Sequence, residues 1–243
     1  MSEYKFPTET VELPSKGLIY PSDSPLRSGK VEMKYMTAKE EDILTNQAFI
    51  EQGVVLDKLL KALTLNKFDI KTLFPGDKNA LMVASRVLGY GKDYSFTIGK
   101  NDYSVDLSTL ENKTFDESLI TSNGTFKFTL PSSENEIEFK FLTELDEGKI
   151  AQEIEGFQKI NKNSSSEVTT RLKHQIISIN GSSEKNDIRE FVDTMLLASD
   201  SRALRMYIKE ISPDVNLSTT VEINGKEEEI DIPINLNFFW PDL

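Results

Sequence analysis

Apolar residues recur along this chain first with a helical period, then in alternation, then helically again, and finally in alternation. Val55, Leu56, Leu59, Leu60 and Leu63 fall at i, i+1, i+4, i+5 and i+8, the broad apolar face of a helix buried in the core or against a partner. Ala80, Leu81, Val83, Ala84, Val87 and Leu88 are apolar on most sides of a second helix, which predicts a central position. Pro75-Gly76 marks the turn before it, Asp77 is the expected N-cap, and Gly89 and Gly91 end it. Alternation then takes over. Tyr94, Phe96 and Ile98 face Tyr103, Val105 and Leu107 across a turn at 99–102, and Phe126, Phe128 and Leu130 face Ile137, Phe139 and Phe141 across a polar loop at 131–136. Each pair reads as a β-hairpin with one buried face.

The helical period returns at Thr143, with Ile150, Ile154 and Phe157 on one face. After a polar stretch at 161–166, Ser164 and Glu167 offer a capping box for a helix whose stripe is Val168, Leu172, Ile176 and Ile179, closed by Asn180-Gly181. Two further helices carry Ile188, Phe191, Val192, Met195 and Leu196, then Leu204, Tyr207, Ile208 and Ile211, and Pro213 stops the last. Val221 and Ile223 lead through Asn224-Gly225 into Ile230, Ile232 and Ile234, a third hairpin, and Pro233 places its return strand on a sheet edge. The pattern predicts an α+β fold, with two helical groups, about three antiparallel hairpins and an extended N-terminal arm.

That arm is the stretch over 1–36. Pro14, Pro21, Pro25, Gly17 and Gly29 exclude a helix and favour extended and turn backbone, with a short strand before residue 36. Thr37 and Glu40 then supply a capping box for an abrupt helix start. The expected organisation is an arm over 1–36, a body of helices and two hairpins over 37–160, a linker at 161–166, and helices with the last hairpin over 167–243. The two later parts form one body or two. An arm laid over a partner predicts that removing residues 1–30 leaves the folded body intact while weakening partner binding.

Charge and composition narrow the chemistry. Among 243 residues, 40 acids face 28 bases for a formal charge of −12, which repels nucleic-acid phosphates and anionic membrane surfaces. No apolar run reaches the roughly 20 residues needed to cross a bilayer, and the first residues lack a signal-peptide pattern. The reading is a protein that stays soluble in the compartment where it is made. Without cysteine there are no disulfides, thiol nucleophiles or cysteine-bound zinc. The single histidine, His174, lies off the apolar stripe of its helix and reads as a surface residue. Glu227, Glu228 and Glu229 read as a solvated strand, and Asp146-Glu147 as a helix first turn. No phosphate loop, dinucleotide fingerprint or calcium loop is present. The residues therefore point to no catalytic, cofactor or metal site. The terminal Phe238, Phe239 and Trp240 either fold back into the core, which the preceding hairpin favours, or anchor in a partner.

Several stretches, in order, resemble the T4-type phage baseplate hub protein family. These are LPSKGLIYP at 13–21, VEMKYMTAKEEDIL at 31–44, VLDKLLKAL at 55–63, LMVASRVLGYGKDY at 81–94, DSRALRMYIKEISPDV at 200–215 and FFWPDL at 238–243. The resemblance implies a non-enzymatic role in contractile-tail assembly, as a hub subunit or as an assembly chaperone missing from the mature virion. Its partners would be other baseplate and tail hub proteins, and its location the host cytoplasm during assembly or the finished tail baseplate. Some members carry cysteine pairs at hairpin turns in the manner of zinc ribbons. The matching turns here, Gly99-Lys100 and Gly225-Lys226, have none, which argues against metal. The candidate contact residues are Leu13, Pro14, Leu18, Tyr20, Met33 and Tyr35 of the arm, Leu56, Leu59, Leu60 and Leu63 of the apolar helix, and Phe238, Phe239 and Trp240. A carboxylate-dependent cell-wall hydrolase and a small-ligand or peptide-binding module using the hairpin faces remain as alternatives.

Overall fold

The computed structural model describes residues 7–99, 101–113, 115–160, 166–223, 226–234 and 236–239. Its elements in order are β1 (Thr8–Glu12), β2 (Lys30–Lys34), α1 (Ala38–Leu44), α2 (Gln47–Glu51), α3 (Val55–Leu63), α4 (Pro75–Tyr90), β3 (Asp93–Ile98) and β4 (Asn101–Asp106). There follow β5 (Phe126–Thr129), β6 (Glu136–Phe139), α5 (Glu144–Ile160), α6 (Glu167–Gln175), β7 (Ile176–Ile179), α7 (Lys185–Glu190), α8 (Ala198–Ile211), β8 (Ser218–Ile223) and β9 (Lys226–Asp231). The strands make four small antiparallel sheets, β1-β2, β3-β4, β5-β6-β7 and β8-β9. The fold is α+β.

The three hairpins stand where alternation places them, with Phe96 opposite Tyr103, Phe128 opposite Ile137 and Val221 opposite Glu228. The Asn224-Gly225 turn and Lys100 lie outside the described residues. Pro233 falls beyond the end of β9, so it breaks no ladder. Residues 227–229 are exposed, as a solvated acidic strand should be.

Residues 167–179 depart from the helical expectation. The stripe from Val168 to Ile179 fits a single helix by spacing, yet α6 stops at Gln175 and Ile176–Ile179 is a strand beside β6, with Ile137 opposite Ile179 and Glu138 opposite Ser178. Isoleucine at 176, 177 and 179 favours that outcome, because β-branched side chains are restricted in a helix and pack well on a pleated surface. The capping box also shifts. Ser166 is the N-cap and Glu167 the first helical residue, so Glu167 cannot serve as a third-position partner, and Ser164 lies outside the described residues. Because β7 completes a sheet begun by β5 and β6, the core runs without a break from the elements before 161–165 to those after it. Tyr207 of α8 strengthens this, stacking on Phe128 at 4.6 Å and edge-on to Phe139 at 6.1 Å. Asp200, buried in the first turn of α8, accepts the backbone N–H groups of Ser132 (2.8 Å) and Ser133 (3.0 Å) and ties down the β5-β6 loop.

The N-terminal stretch differs most from expectation. β1 pairs with β2, and residues 13–29 between them fold into a closed loop rather than an arm. The Leu13 N–H donates to the Gly29 carbonyl at 2.9 Å. Gly17 (φ +76°) and Gly29 (φ +70°) let the two limbs meet, since a Cβ on Gly17 would stand 2.5 Å from the Arg27 carbonyl oxygen. The Arg27 guanidinium fills the loop by donating to the carbonyls of Leu18, Gly17 and Tyr20. Leu13, Ile19, Tyr20, Leu26, Val31 and Met33 all enter the main core. Burying each large side chain contributes about 1.5–3 kcal/mol, so residues 13–33 form part of the body. That burial argues against the expectation that residues 1–30 can be removed without unfolding.

The next helix starts as expected. Glu40 reaches back to the Thr37 N–H at 3.0 Å, accepts a hydrogen bond from the Thr37 hydroxyl at 2.6 Å and pairs with Lys34 at 2.7 Å. Thr143 and Asp146 repeat the device on α5, with Lys140 on the same carboxylate at 2.8 Å.

Candidate functional site

α4 organises the molecule, and its N-terminus holds a fully buried polar junction. The helix begins at Pro75, two residues earlier than the expected cap, because proline at the first position lacks an N–H that would be unpaired anyway. Asp77 therefore sits inside the first turn. Its side chain is fully buried and takes the Ser15 N–H at 2.9 Å, the Ser15 hydroxyl at 2.6 Å and the Tyr20 hydroxyl at 2.7 Å. The Tyr20 oxygen in turn accepts the Phe74 N–H at 3.2 Å. Burial pushes the Asp77 carboxyl upward, while the Ser15 and Tyr20 bonds pull it down without cancelling the shift. Burial likewise raises the Tyr20 phenol, with the Asp77 charge adding to it. Both carboxylate oxygens are occupied and shut off from solvent, so the junction locks the 13–29 loop to α4. Sequence reasoning missed it; the visible signal was a serine and a tyrosine inside a Pro/Gly-rich stretch.

From the other end of the chain, residues 213–214 lie against the same helix start. A Cβ on Gly76 would fall 1.9 Å from the Pro213 carbonyl oxygen, and Asn79 donates to Asp214 at 3.0 Å. At the far end of α4, Arg86 donates to the carbonyls of Gly91 (2.9 Å) and Asp93 (3.2 Å) and lies over the rings of Tyr90 and Tyr94. Phe238 packs edge-on to Tyr94 at 4.8 Å.

Most of the expected contact residues are interior. Leu13, Pro14, Tyr20, Met33, Leu59, Leu60, Leu63, Phe238 and Phe239 are buried, and a side chain without exposed surface cannot meet a partner while the fold is intact. Their apolar character belongs to this chain's own core, which corrects their assignment as contact surface. Phe238 and Phe239 take the folded-back alternative. Leu18, Tyr35 and Leu56 are half-buried, and Trp240 lies outside the described residues. The apolar side chains that do face solvent lie elsewhere, among them Met206 at 60%, Met195 at 54% and Leu197 at 49% exposure.

Two surface depressions carry chemistry. One is an apolar groove of about 400 Å³ between β1 and the stretch 107–112, where α4 presents Ala80, Val83, Ala84 and Val87 at i, i+3, i+4 and i+7. Val11 and Leu110 wall it, and Glu9 and Glu12 stand on its rim. The other, of about 320 Å³, gathers Lys173, Lys185, Arg189 and His174. His174 is not the isolated surface residue expected: it is half-buried, with Nε2 2.9 Å from a Glu153 oxygen, and so joins α6 to α5. Lys173 is engaged by Asp193 at 2.6 Å. Among the described residues no group of three or more His, Asp or Glu side chains could hold a metal ion, and no helix is long and apolar enough to cross a membrane.

The fold is α+β, and its buried carboxylates, Glu40, Asp77, Asp146 and Asp200, each bond to groups of the chain itself. No family model, no curated protein and no solved structure matches the chain.

Proposed function

We propose that this chain is a non-enzymatic component of contractile-tail baseplate hub assembly in a T4-type phage, acting through protein–protein contacts as a hub subunit or as an assembly factor. The observation that carries the reading is the ordered set of stretches resembling that family, and the way they pack supports treating them as one unit. Each touches α4 or the strand leaving it. Residues 13–21 reach it through Ser15 and Tyr20 on Asp77. Met36, from 31–44, lies where a Cβ on Gly89 would meet it, at 2.9 Å. Asp57, from 55–63, pairs with Lys78 at 2.6 Å. Asp214 binds Asn79, and Phe238 packs on Tyr94. The contacts of such a protein must fall on side chains other than the buried set, and the exposed methionines and the β1 groove are among the available places.

Deleting the coding sequence and scoring tail assembly tests the proposal, and intact tails would refute it. Mass spectrometry of mature particles then separates the two roles: stoichiometric recovery marks a subunit, and recovery only from assembly intermediates marks an assembly factor.

A further inference from the structure

We infer that the free edge of β1, with the apolar groove beside it, is a docking site for an extended basic segment of a partner protein, which adds to β1 as a third strand. The β1-β2 sheet has two edges, and the chain treats them differently. On the β2 side the edge is closed: the Leu65 N–H donates to the Glu32 carbonyl at 2.9 Å, and the Glu32 N–H donates to Asn66 Oδ1 at 2.7 Å. Thr10 lies directly opposite Glu32. Opposed residues in an antiparallel ladder either bond each other or both turn away, so the Thr10 N–H and C=O point outward from β1. The bonds from the Leu13 N–H to Gly29 and from the Tyr35 N–H to Pro7 fix the same alternation, which turns the groups of Thr8 and Glu12 outward as well. All three residues are exposed, and no group among the described residues bonds these outward atoms. Proteins commonly block such edges, since a row of unpaired N–H and C=O groups recruits another strand.

An open edge alone would recruit any strand; the groove supplies selectivity. Side chains of an added strand alternate between faces, and every second one would share the face of Val11, above Val83 and Val87 of α4. That favours aliphatic residues at alternate positions. Glu9, on the face of Val11, is held by the Tyr35 hydroxyl at 3.2 Å, whereas Glu12, on the opposite face with Thr8 and Thr10, is 73% exposed and pairs at 3.2 Å with Lys30, itself 59% exposed. The intervening positions fall on the face of Glu12, where, on a chain of charge −12, lysine or arginine is complementary, whereas a second copy would set −12 against −12. Main-chain bonds supply affinity and alternate side chains specificity, the usual division in strand addition.

The inference shares with the proposed function only the supposition of a protein partner. It is tested on the isolated protein, so its failure and a failed assembly experiment are read separately. The probe is a synthetic octapeptide alternating valine and lysine, with a valine–glutamate octapeptide as control. The lysine peptide should bind saturably below about 1 mM by calorimetry and slow hydrogen exchange at the amides of Thr8, Thr10 and Glu12, while the control does not bind. Thr10→Pro removes an outward N–H without touching the β1-β2 ladder, and Val87→Lys puts a charge in the groove; each should weaken binding about tenfold or more, a loss of about 1.4 kcal/mol. If Thr10→Pro fails to fold, Val87→Lys alone decides. The inference is overturned by absence of saturable binding, by binding that survives the folded variants, by protection elsewhere in the chain, or by a sedimenting dimer that Thr10→Pro dissolves, which would give the edge to a second copy.

Discussion

Replacing Asp77 by alanine takes away the shared acceptor of three donors at a site closed to water. A buried donor left without a partner costs about 1–3 kcal/mol. The Ser15 N–H is fixed by the backbone and loses its bond outright, whereas the Ser15 and Tyr20 hydroxyls can turn and lose less. The expected destabilisation is about 3–5 kcal/mol, a large share of the roughly 5–15 kcal/mol that holds a domain folded. Ser15→Ala and Tyr20→Phe each remove one donor and should cost about 1–2 kcal/mol. Urea unfolding followed by far-ultraviolet circular dichroism reads all three, and an Asp77→Ala loss under about 1 kcal/mol would refute the idea that this junction locks the loop. The pH dependence gives a second check. Burial raises the folded-state pKa above the ordinary aspartate value of 3.8. The stability this group contributes is therefore complete below 3.8 and is lost as pH rises through the raised value. The advantage of the wild type over Asp77→Asn should narrow as pH rises across that window. An advantage that grew with pH would show that the bonds from Ser15 and Tyr20 outweigh burial.

Removing residues 1–30 should abolish cooperative unfolding, because it takes out Leu13, Tyr20 and Leu26 with both partners of Asp77; a truncated chain with a sharp transition would show the loop to be dispensable. Gly76→Ala should destabilise by more than about 2 kcal/mol, since its Cβ would overlap the Pro213 carbonyl, whereas Gly156→Ala, in open space on α5, should stabilise by about 0.5–1 kcal/mol in the same melting assay. For Glu40, burial alone would raise the pKa, but the bonds from Lys34 and Thr37 more than offset it and hold the value below the ordinary 4.5. Its contribution is present above 4.5 and lost as pH falls through the depressed value, so the Glu40→Gln variant should lose less stability than the wild type on acidification, measured by urea midpoints.

Local period carried a good deal of this fold. The three hairpins, the capped starts of α1 and α5 and the central place of α4 are each written in residues within a turn or two of one another. What eluded reading was set by partners far away in the chain. Ile176 and Ile179 fit a helical stripe by spacing, and their β-branched preference for a strand is realised only beside a neighbour as distant as Ile137. Asp77 has the composition of a cap, but its role depends on Ser15 and Tyr20 folding over it. The apolar residues of 13–35 and 55–63 could as well have marked an interface as a core; burial of nearly all of them is a tertiary fact. The groove beside β1 was hidden for the same reason, since Val11, Val87 and Leu110 become neighbours only in the folded chain.

The seat of α4 also sets an order of events in synthesis. Ser15 precedes Asp77 by 62 positions, while Asp214 follows Asn79 by 135. The loop and the helix start can join as soon as both have left the ribosome. At about 5–20 residues per second, the strand of chain that covers Gly76 and Asn79 arrives roughly 7 to 27 s later. Through that interval the helix stands finished on one flank and bare on the other, and closure across so long a separation is slow in itself. Until residues 213–214 emerge, Gly76 and Asn79 lack the neighbours that close over them in the finished fold.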